Sequence, residues 1–418
     1  IDALLIPSVE RKQSVEADFR KGISVIIPTQ KGERVMRIYL DSIMKQTLSR
    51  DLFEVIIIMN GEKDATQWIV NNYIKEHNLS NLSLLYTPKG SASAARNIGI
   101  KHASKEYTTF LDDDDYLSSN FLEEMYRYAA KDTVVVSQIV DVDQKGNLNH
   151  ENAINKQIIH AADNKENTYK ELNQVSTINA CKLIATQYVK EIAYNQHLKS
   201  GEDIVYYTEL LMKNDLKMKV IPIEKEAIYF RVLRNESVSR QSMTFDFYVK
   251  QRLDVIEKLD TLLNEIYDIN KQTFIKQKIH AQAMFINRYL KENRQDHERV
   301  VQEIKNRNLS YIPYEFINRN LAETLIIAFC FPPYVDTSGN VMAKRLRDMN
   351  VVADVVYNQM DKVRPKDPTL NTLVDDLVEE RVIVPTYPSF SNWKAIEDFC
   401  TYGMNKISKE KQYKELYS

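Results

Sequence analysis

The sequence predicts an α/β protein in three parts. Residues 1–245 form an open, mixed but mostly parallel Rossmann-like sheet with helices on both faces. Residues 246–320 form a helical spacer, and 321–418 a partial second Rossmann-like α/β unit. Three observations carry this reading. Short β-branched runs alternate with helical periodicities from Ile23 to Asp115, the grammar of a largely parallel sheet. From about Thr244 to Asn306 long polar stretches carry apolar residues at helical spacing. After Leu321 the alternation of strand and helix returns.

The elements follow in order. Ile23 to Ile27 is a β-branched strand stopped by Pro28, and Val35, Ile38, Leu40 and Ile43 mark a helix. Glu54 to Met59 is a second strand ending at the turn dipeptide Asn60-Gly61, with a helix from Thr66 to His77 anchored by Trp68, Ile69 and Ile74. Leu82 to Tyr86 leads through Lys89-Gly90 into a helix bearing Ala92, Ala95, Ile98 and Gly99, and Tyr107 to Leu111 runs into four aspartates, Asp112 to Asp115. In the spacer, Leu253, Ile256, Leu259, Leu263 and Ile266, then Ile275, Ile279, Ile286 and Leu290, predict an antiparallel helix pair. Thr324 to Phe331, a helix near Asn340 to Met349, and strands near Val351 to Val356 and Val382 to Val384 open the last unit.

Composition narrows the function. Lys and Arg number 56 against 58 Asp and Glu, a net charge of −2 that carries no signature of a nucleic-acid binder. The three cysteines are far apart and in no C-x-x-C pattern, so neither a disulfide framework nor a zinc site is supported, and a reducing, cytoplasmic setting is expected. The longest apolar runs fall far short of the roughly 18 residues of a spanning helix. Only 9 glycines occur, about 2% against a usual ~7%. No G-x-x-x-x-G-K, H-E-x-x-H or G-x-S-x-G motif is present, so the chemistry falls to carboxylates.

Asp112 to Asp115 stand where ligands of open α/β sheets gather, outside the carboxyl end of a strand. One reading is a solvated turn into a helix capped by Asn120 with Glu123 three residues on. The sharper reading is a carboxylate cluster that needs a cation: hard oxygen ligands suit Mg²⁺ or Mn²⁺, and these suit a diphosphate.

Ile23 to Thr29, Phe53 to Thr66, Ser93-Ala94-Ala95-Arg96-Asn97-Ile98-Gly99 and Tyr107 to Leu117, in this order, resemble glycosyltransferase family 2 with its GT-A fold. Asn179 to Leu183 looks like that family's acceptor-side helix, and Ser200-Gly201-Glu202-Asp203 like its Glu-Asp motif; the resemblance spans about residues 21–245. It implies an inverting, Mn²⁺- or Mg²⁺-dependent transferase that moves a hexosyl or N-acetylhexosaminyl group from a UDP-sugar to a hydroxyl of a surface glycan of capsule or cell wall, lipid-linked acceptors included. Carried over residue by residue, Asp112 lies near the ribose, Asp113 beside it, and Asp112 and Asp114 hold the metal. Asp203, next to Glu202, is the general base, kept ionised by the helix N-terminus. Arg96 adds a cation near the donor. Pro28, Thr29 and the Asn60 amide read the pyrimidine, and Arg234, Ser237 and Ser239 hold the phosphates. Tyr206 and Tyr207 either stack on acceptor sugars or belong to the core.

The chain departs from the family at named positions. Met59 stands where an aspartate usually reads uracil, Gln30-Lys31 replaces Tyr-Asn, Arg231 to Ser239 contains no histidine, and the Gln-x-x-Arg-Trp of membrane-embedded synthases is missing. A cytoplasmic enzyme meeting its acceptor at the inner face of the membrane is expected; the rival is a non-catalytic glycan- or nucleotide-binding module. Phe331-Pro332-Pro333 and Ser338-Gly339 more weakly resemble the start of a GT-B glycosyltransferase, which implies a fragment of a longer, two-headed protein.

Overall fold

The computed structural model describes residues 19–233 and 243–311 and the strands at 324–328, 353–359, 378–385 and 415–417. Two compact units emerge, 1–247 with 261–275, and 248–260 with 276–418.

The first unit opens with β1 (Arg20–Thr29), α1 (Met36–Met44), β2 (Phe53–Asn60), α2 (Thr66–His77), β3 (Leu82–Thr87), α3 (Ala92–His102) and β4 (Lys105–Phe110). Then come β5 (Tyr116–Leu117), α4 (Phe121–Arg127), β6 (Thr133–Val136), β7 (Gln138–Val142), β8 (Leu148–Asn149), α5 (Ala153–Ala161) and α6 (Asn173–Ser176). It closes with β9 (Lys182–Ala185), α7 (Thr186–Glu191), α8 (Glu202–Lys213), β10 (Lys217–Val220) and β11 (Ile228–Val232). A seven-stranded sheet in the order β10-β6-β9-β4-β1-β2-β3 forms the core. Only β9 runs against the rest, since it pairs antiparallel with both β4 and β6 while the other pairs are parallel. The fold is therefore the mixed, mostly parallel α/β sheet the sequence predicts. β1 is buried from Gly22 to Thr29 because helices cover both faces, hence its continuous apolar run.

Register aligns the carboxyl ends of three strands. Thr29 of β1 pairs with Met59 of β2, Asn60 with Thr87 of β3, and the Leu111 amide just past β4 donates to the Ile26 carbonyl. Helix α3 packs close on β1 and β2 at Gly99, where an added Cβ would lie 2.4 Å from the Ile26 Cγ2. That approach brings Arg96, one turn earlier, to the same sheet edge.

A second sheet, β5-β11-β7-β8, stands beside this edge, with β11 parallel to β7 and antiparallel to β5. Two local expectations are corrected. Asn179 to Leu183 is not helical: it enters β9, and the helix before it is α6. Asn120 precedes α4 without a side-chain cap: its amide donates to the Lys225 carbonyl and its oxygen accepts the Ser118 hydroxyl, while Glu123 accepts the Thr47 hydroxyl, so both side chains are taken up elsewhere.

Helices α9 (Gln251–Glu265) and α10 (Ile269–Glu292), whose residues divide between the two units, are joined by a short turn, and α11 (His297–Lys305) of the second unit follows. Arg252 of α9 donates to Gln282 of α10, residues equally far from that turn, as in an antiparallel pair. Arg307 bridges Asp254 and Glu257 at 2.5 and 2.9 Å. Strands β12 (Thr324–Ala328), β13 (Ala353–Gln359), β14 (Val378–Pro385) and β15 (Glu415–Tyr417) make a parallel sheet in the order β14-β13-β12-β15. The helix expected near Asn340 to Met349 lies outside the described residues.

Candidate active site

At the ends of β1 and β2 the side chains lock onto one another. The Asn60 amide donates to the Thr29 carbonyl at 2.9 Å, and the Thr29 hydroxyl donates to Asp113 at 2.5 Å. Asn60 is 4% exposed, and its carbonyl oxygen has no hydrogen-bond partner among the described residues. Gly61, at φ 84°, turns the chain away from β2, and the Gln30 amide occupies the space where a Cβ on Gly61 or Gly90 would stand. Met59 is buried in the core at 4% exposure and offers no polar group at the end of β2.

The four aspartates separate into different roles. Asp113 takes the Thr29 hydroxyl. Asp115 is buried and accepts from the Tyr229 hydroxyl and the Val232 amide, both at 2.8 Å, tying the acidic turn to β11. Burial, then the charges of Asp112 and Asp114, raises the Asp115 carboxyl well above the usual range. The Asp112 amide donates to the same Tyr229 hydroxyl at 3.2 Å. Asp112, Asp113 and Asp114 remain partly exposed.

Arg96 joins this turn to α8. Its guanidinium, 5% exposed, donates to Asp112 at 3.0 Å and to Glu202 at 2.9 Å, leaving Nε without a partner among the described residues. Burial opposes its charge, but Asp112, Tyr194 and Glu202 hold it protonated. Glu202 and Asp203 begin α8 after Gly201, whose φ of 74° is the left-handed turn that glycine adopts without penalty. Asp203 keeps partial solvent access and accepts the Ile204 amide at 2.8 Å. Burial, with the charge of Glu202, pushes its carboxyl up to about 7, against Arg96, the Ile204 amide and Lys182. The helix N-terminus therefore does not keep it fully ionised as expected, because enclosure outweighs the dipole.

The structure brings Thr29, Asn60, Arg96, Asp112, Asp113, Glu202 and, by chain continuity, Pro28, Asp114 and Asp203 to one edge of the sheet. Arg234, Ser237 and Ser239 lie outside the described residues. Arg96 is not an open cation awaiting a phosphate, since two carboxylates already hold it. Tyr206 and Tyr207 are core residues at 1% exposure, Tyr206 stacked on Tyr194 at 3.8 Å, so neither offers a face to a sugar. Sequence reasoning gave no individual role to Tyr229, which anchors the acidic turn, or to Lys182, which it read only as part of the Asn179–Leu183 segment. Lys182 had one visible signal, a lysine between apolar residues in a strand-like run.

Among the described residues no group of three or more His, Cys, Asp or Glu is placed to hold a metal. The donor set fits a hard divalent ion only in part: Asp112 and Asp114 offer carboxylate oxygens, and the remaining ligands of a six-coordinate ion have to come from a diphosphate and water. No described helix is long and apolar enough to cross a membrane.

A mostly parallel sheet with an Asp-x-Asp turn at its carboxyl edge and an acidic helix start facing it defines the GT-A class. Within it, residues 24–191 match the glycosyl transferase family 2 model, and the chain carries a domain of that family. Poly(ribitol-phosphate) beta-N-acetylglucosaminyltransferase TarS of Staphylococcus aureus is 27% identical over 276 residues, 65% of this chain and 44% of that protein. A poly(ribitol-phosphate) beta-glucosyltransferase of Bacillus spizizenii is 25% identical over 218 residues, 51% of this chain and 32% of that protein. The chain thus spans under half the length of these curated relatives. The crystal structure of S. aureus TarS 1-349 in complex with UDP-GlcNAc superposes with a TM-score of 0.52 at 20% identity, covering 71% of this chain and 82% of that one, which establishes the shared fold.

Proposed function

We propose that this chain is an inverting glycosyltransferase that moves N-acetylglucosamine or a hexose from a UDP-sugar to a hydroxyl of a polyol-phosphate or related surface glycan, at the cytoplasmic face of the membrane. The observation that carries the reading is Arg96, which ties Asp112 of the donor turn to Glu202, the neighbour of Asp203. Donor motif and base are thereby held in one site. The acceptor class follows from the poly(ribitol-phosphate) transferases that the chain is similar to.

Asp203 takes the proton of the acceptor hydroxyl while that oxygen bonds to the anomeric carbon on the side opposite the nucleotide. The bond from that carbon to the diphosphate oxygen breaks, and UDP leaves with the electron pair. A carboxyl at about 7 is half ionised at neutral pH, basic enough to accept the proton and weak enough to release it. Asp112 and Asp114 with the diphosphate would hold Mg²⁺ or Mn²⁺, which neutralises charge on the departing nucleotide. The unpartnered Asn60 carbonyl oxygen is an acceptor suited to the N3–H of uracil, a proton that cytosine lacks.

The test is UDP release from UDP-N-acetylglucosamine and UDP-glucose, with and without Mn²⁺, in the presence of poly(ribitol phosphate). One donor turned over only with the metal supports the reading. Tight UDP binding with no turnover of any donor supports instead the non-catalytic binding module, which the loss of a base-reading carboxylate at Met59 favours.

A further inference from the structure

Among the buried ionisable groups that the mechanism leaves unused is Lys182. Lys182 opens β9 at 2% exposure, with no carboxylate among its hydrogen-bond partners in the described residues. Its ammonium donates to the backbone carbonyls of Val175, Ile178 and Ala180 and lies 4.2 Å from the centre of the Tyr207 ring. Tyr207 stands one turn after Asp203 on the same face of α8. The residue before the lysine, Cys181, takes a left-handed φ of 53°, uncommon for any side chain but glycine, and this bend carries the chain from those three carbonyls into the strand. A buried cation is costly unless something nearby is anionic when it matters. The carbonyls and the ring supply only partial charges.

We propose that Lys182 is a positioning residue for the reaction: its fixed positive charge behind Tyr207 holds Asp203 ionised enough to act as base. The inference rests on the reading of Asp203 given above. The charged and titratable groups around Asp203 are Glu202 and Tyr207 on its own helix, Arg96 from α3 and Lys182 from β9. Arg96 is already shared between Asp112 and Glu202, so Lys182 is the cation not committed to another carboxylate by hydrogen bond or ion pair among these groups. Burial pulls the lysine down to about 8, still above the carboxyl at about 7, so the ammonium is mostly charged while Asp203 begins to ionise.

Two variants of the full chain separate this role from packing. Lys182→Met keeps the length of the side chain and removes the charge; Lys182→Arg keeps the charge. Two readouts apply to each: the acid limb of Mn²⁺-dependent UDP-N-acetylglucosamine hydrolysis, and the ¹³C carboxyl titration of Asp203 in aspartate-labelled protein, assigned with Asp203→Asn. In Lys182→Met both should move to higher pH by roughly 0.5 to 1 unit, less than the about 1–3 units of a contact pair, and in Lys182→Arg both should return toward wild type. An unmoved Asp203 titration in folded Lys182→Met, or the same displacement in both variants, overturns the proposal. The carboxyl titration needs no turnover, so the proposal can fail while catalysis by Asp203 stands. Wild-type hydrolysis by Asp203→Asn would reject the base assignment instead.

Discussion

Arg96 and Glu202, 106 residues apart in sequence, meet at 2.9 Å through a guanidinium that also grips Asp112 at 3.0 Å. The Ala-Arg-Asn segment of α3 and the Glu-Asp start of α8 are parts of one electrostatic unit. A side chain expected from sequence to serve the donor is instead a tie between the acidic turn and the start of α8.

Arg96→Gln should therefore cost both stability and activity. Removing the guanidinium leaves Glu202 and Asp112 facing each other without compensation. Breaking a buried pair costs about 3–5 kcal/mol, and the lower end applies because the Asp112 side chain is 40% exposed. Arg96→Lys keeps the charge but reaches one carboxylate at a time, and should fall between. Urea midpoints read the order wild type, Lys, Gln; a Gln variant as stable and active as wild type would remove Arg96 from the account.

The pH dependence follows from the raised Asp203 carboxyl. Activity should rise with pH through about 7 as the base ionises. Stability should move the other way: the unfolded chain loses this proton near the ordinary aspartate range while the folded chain holds it, so folding loses ground as pH climbs toward 7. Asp203→Asn should consequently raise the melting temperature at pH 8 and leave it nearly unchanged at pH 4. Equal effects at both pH values would place the Asp203 carboxyl at its ordinary value.

Much of this was legible in the sequence. The β-branched runs marked the strands and nearly their ends, β1 running past Pro28 to Thr29 and β2 closing at Asn60, and strand ends are where ligands of such sheets gather. The acidic quartet pointed to the right turn, but a local pattern could not divide it. Asp115 faces Tyr229 only because β5 and β11 pair across more than a hundred residues, and that pairing is a property of the second sheet. The family resemblance alone made Asn179 to Leu183 a helix; the segment instead leads into β9, which reverses direction between β4 and β6, a pairing no local pattern shows. The burial of Tyr206 and Tyr207 depends on Tyr194 and Lys182 arriving from elsewhere in the chain.

Tyr229→Phe should test the division of the quartet. The phenol donates to buried Asp115 and accepts the Asp112 amide, so its loss leaves both short of a partner. The expected cost is about 1–3 kcal/mol, seen as a lower melting temperature with weaker Mn²⁺ dependence of turnover. An unchanged melting temperature would show that the turn does not depend on this anchor.

Asp114→Asn should remove metal-dependent turnover and weaken Mn²⁺-dependent UDP binding while the protein stays folded, since the residue is partly exposed at a turn. Calorimetry of UDP with and without Mn²⁺ reads this. A variant whose UDP affinity still responds to Mn²⁺ as wild type does would place the metal elsewhere.

The claim that donor turn and base belong to one inverting site is tested most directly by Asp203→Asn, measured for UDP affinity and for transfer from UDP-N-acetylglucosamine to poly(ribitol phosphate) with Mn²⁺. The account predicts UDP affinity within about twofold of wild type and a transfer rate lower by a factor on the order of 10² to 10⁴. Transfer at the wild-type rate, or affinity and rate falling together, would contradict it.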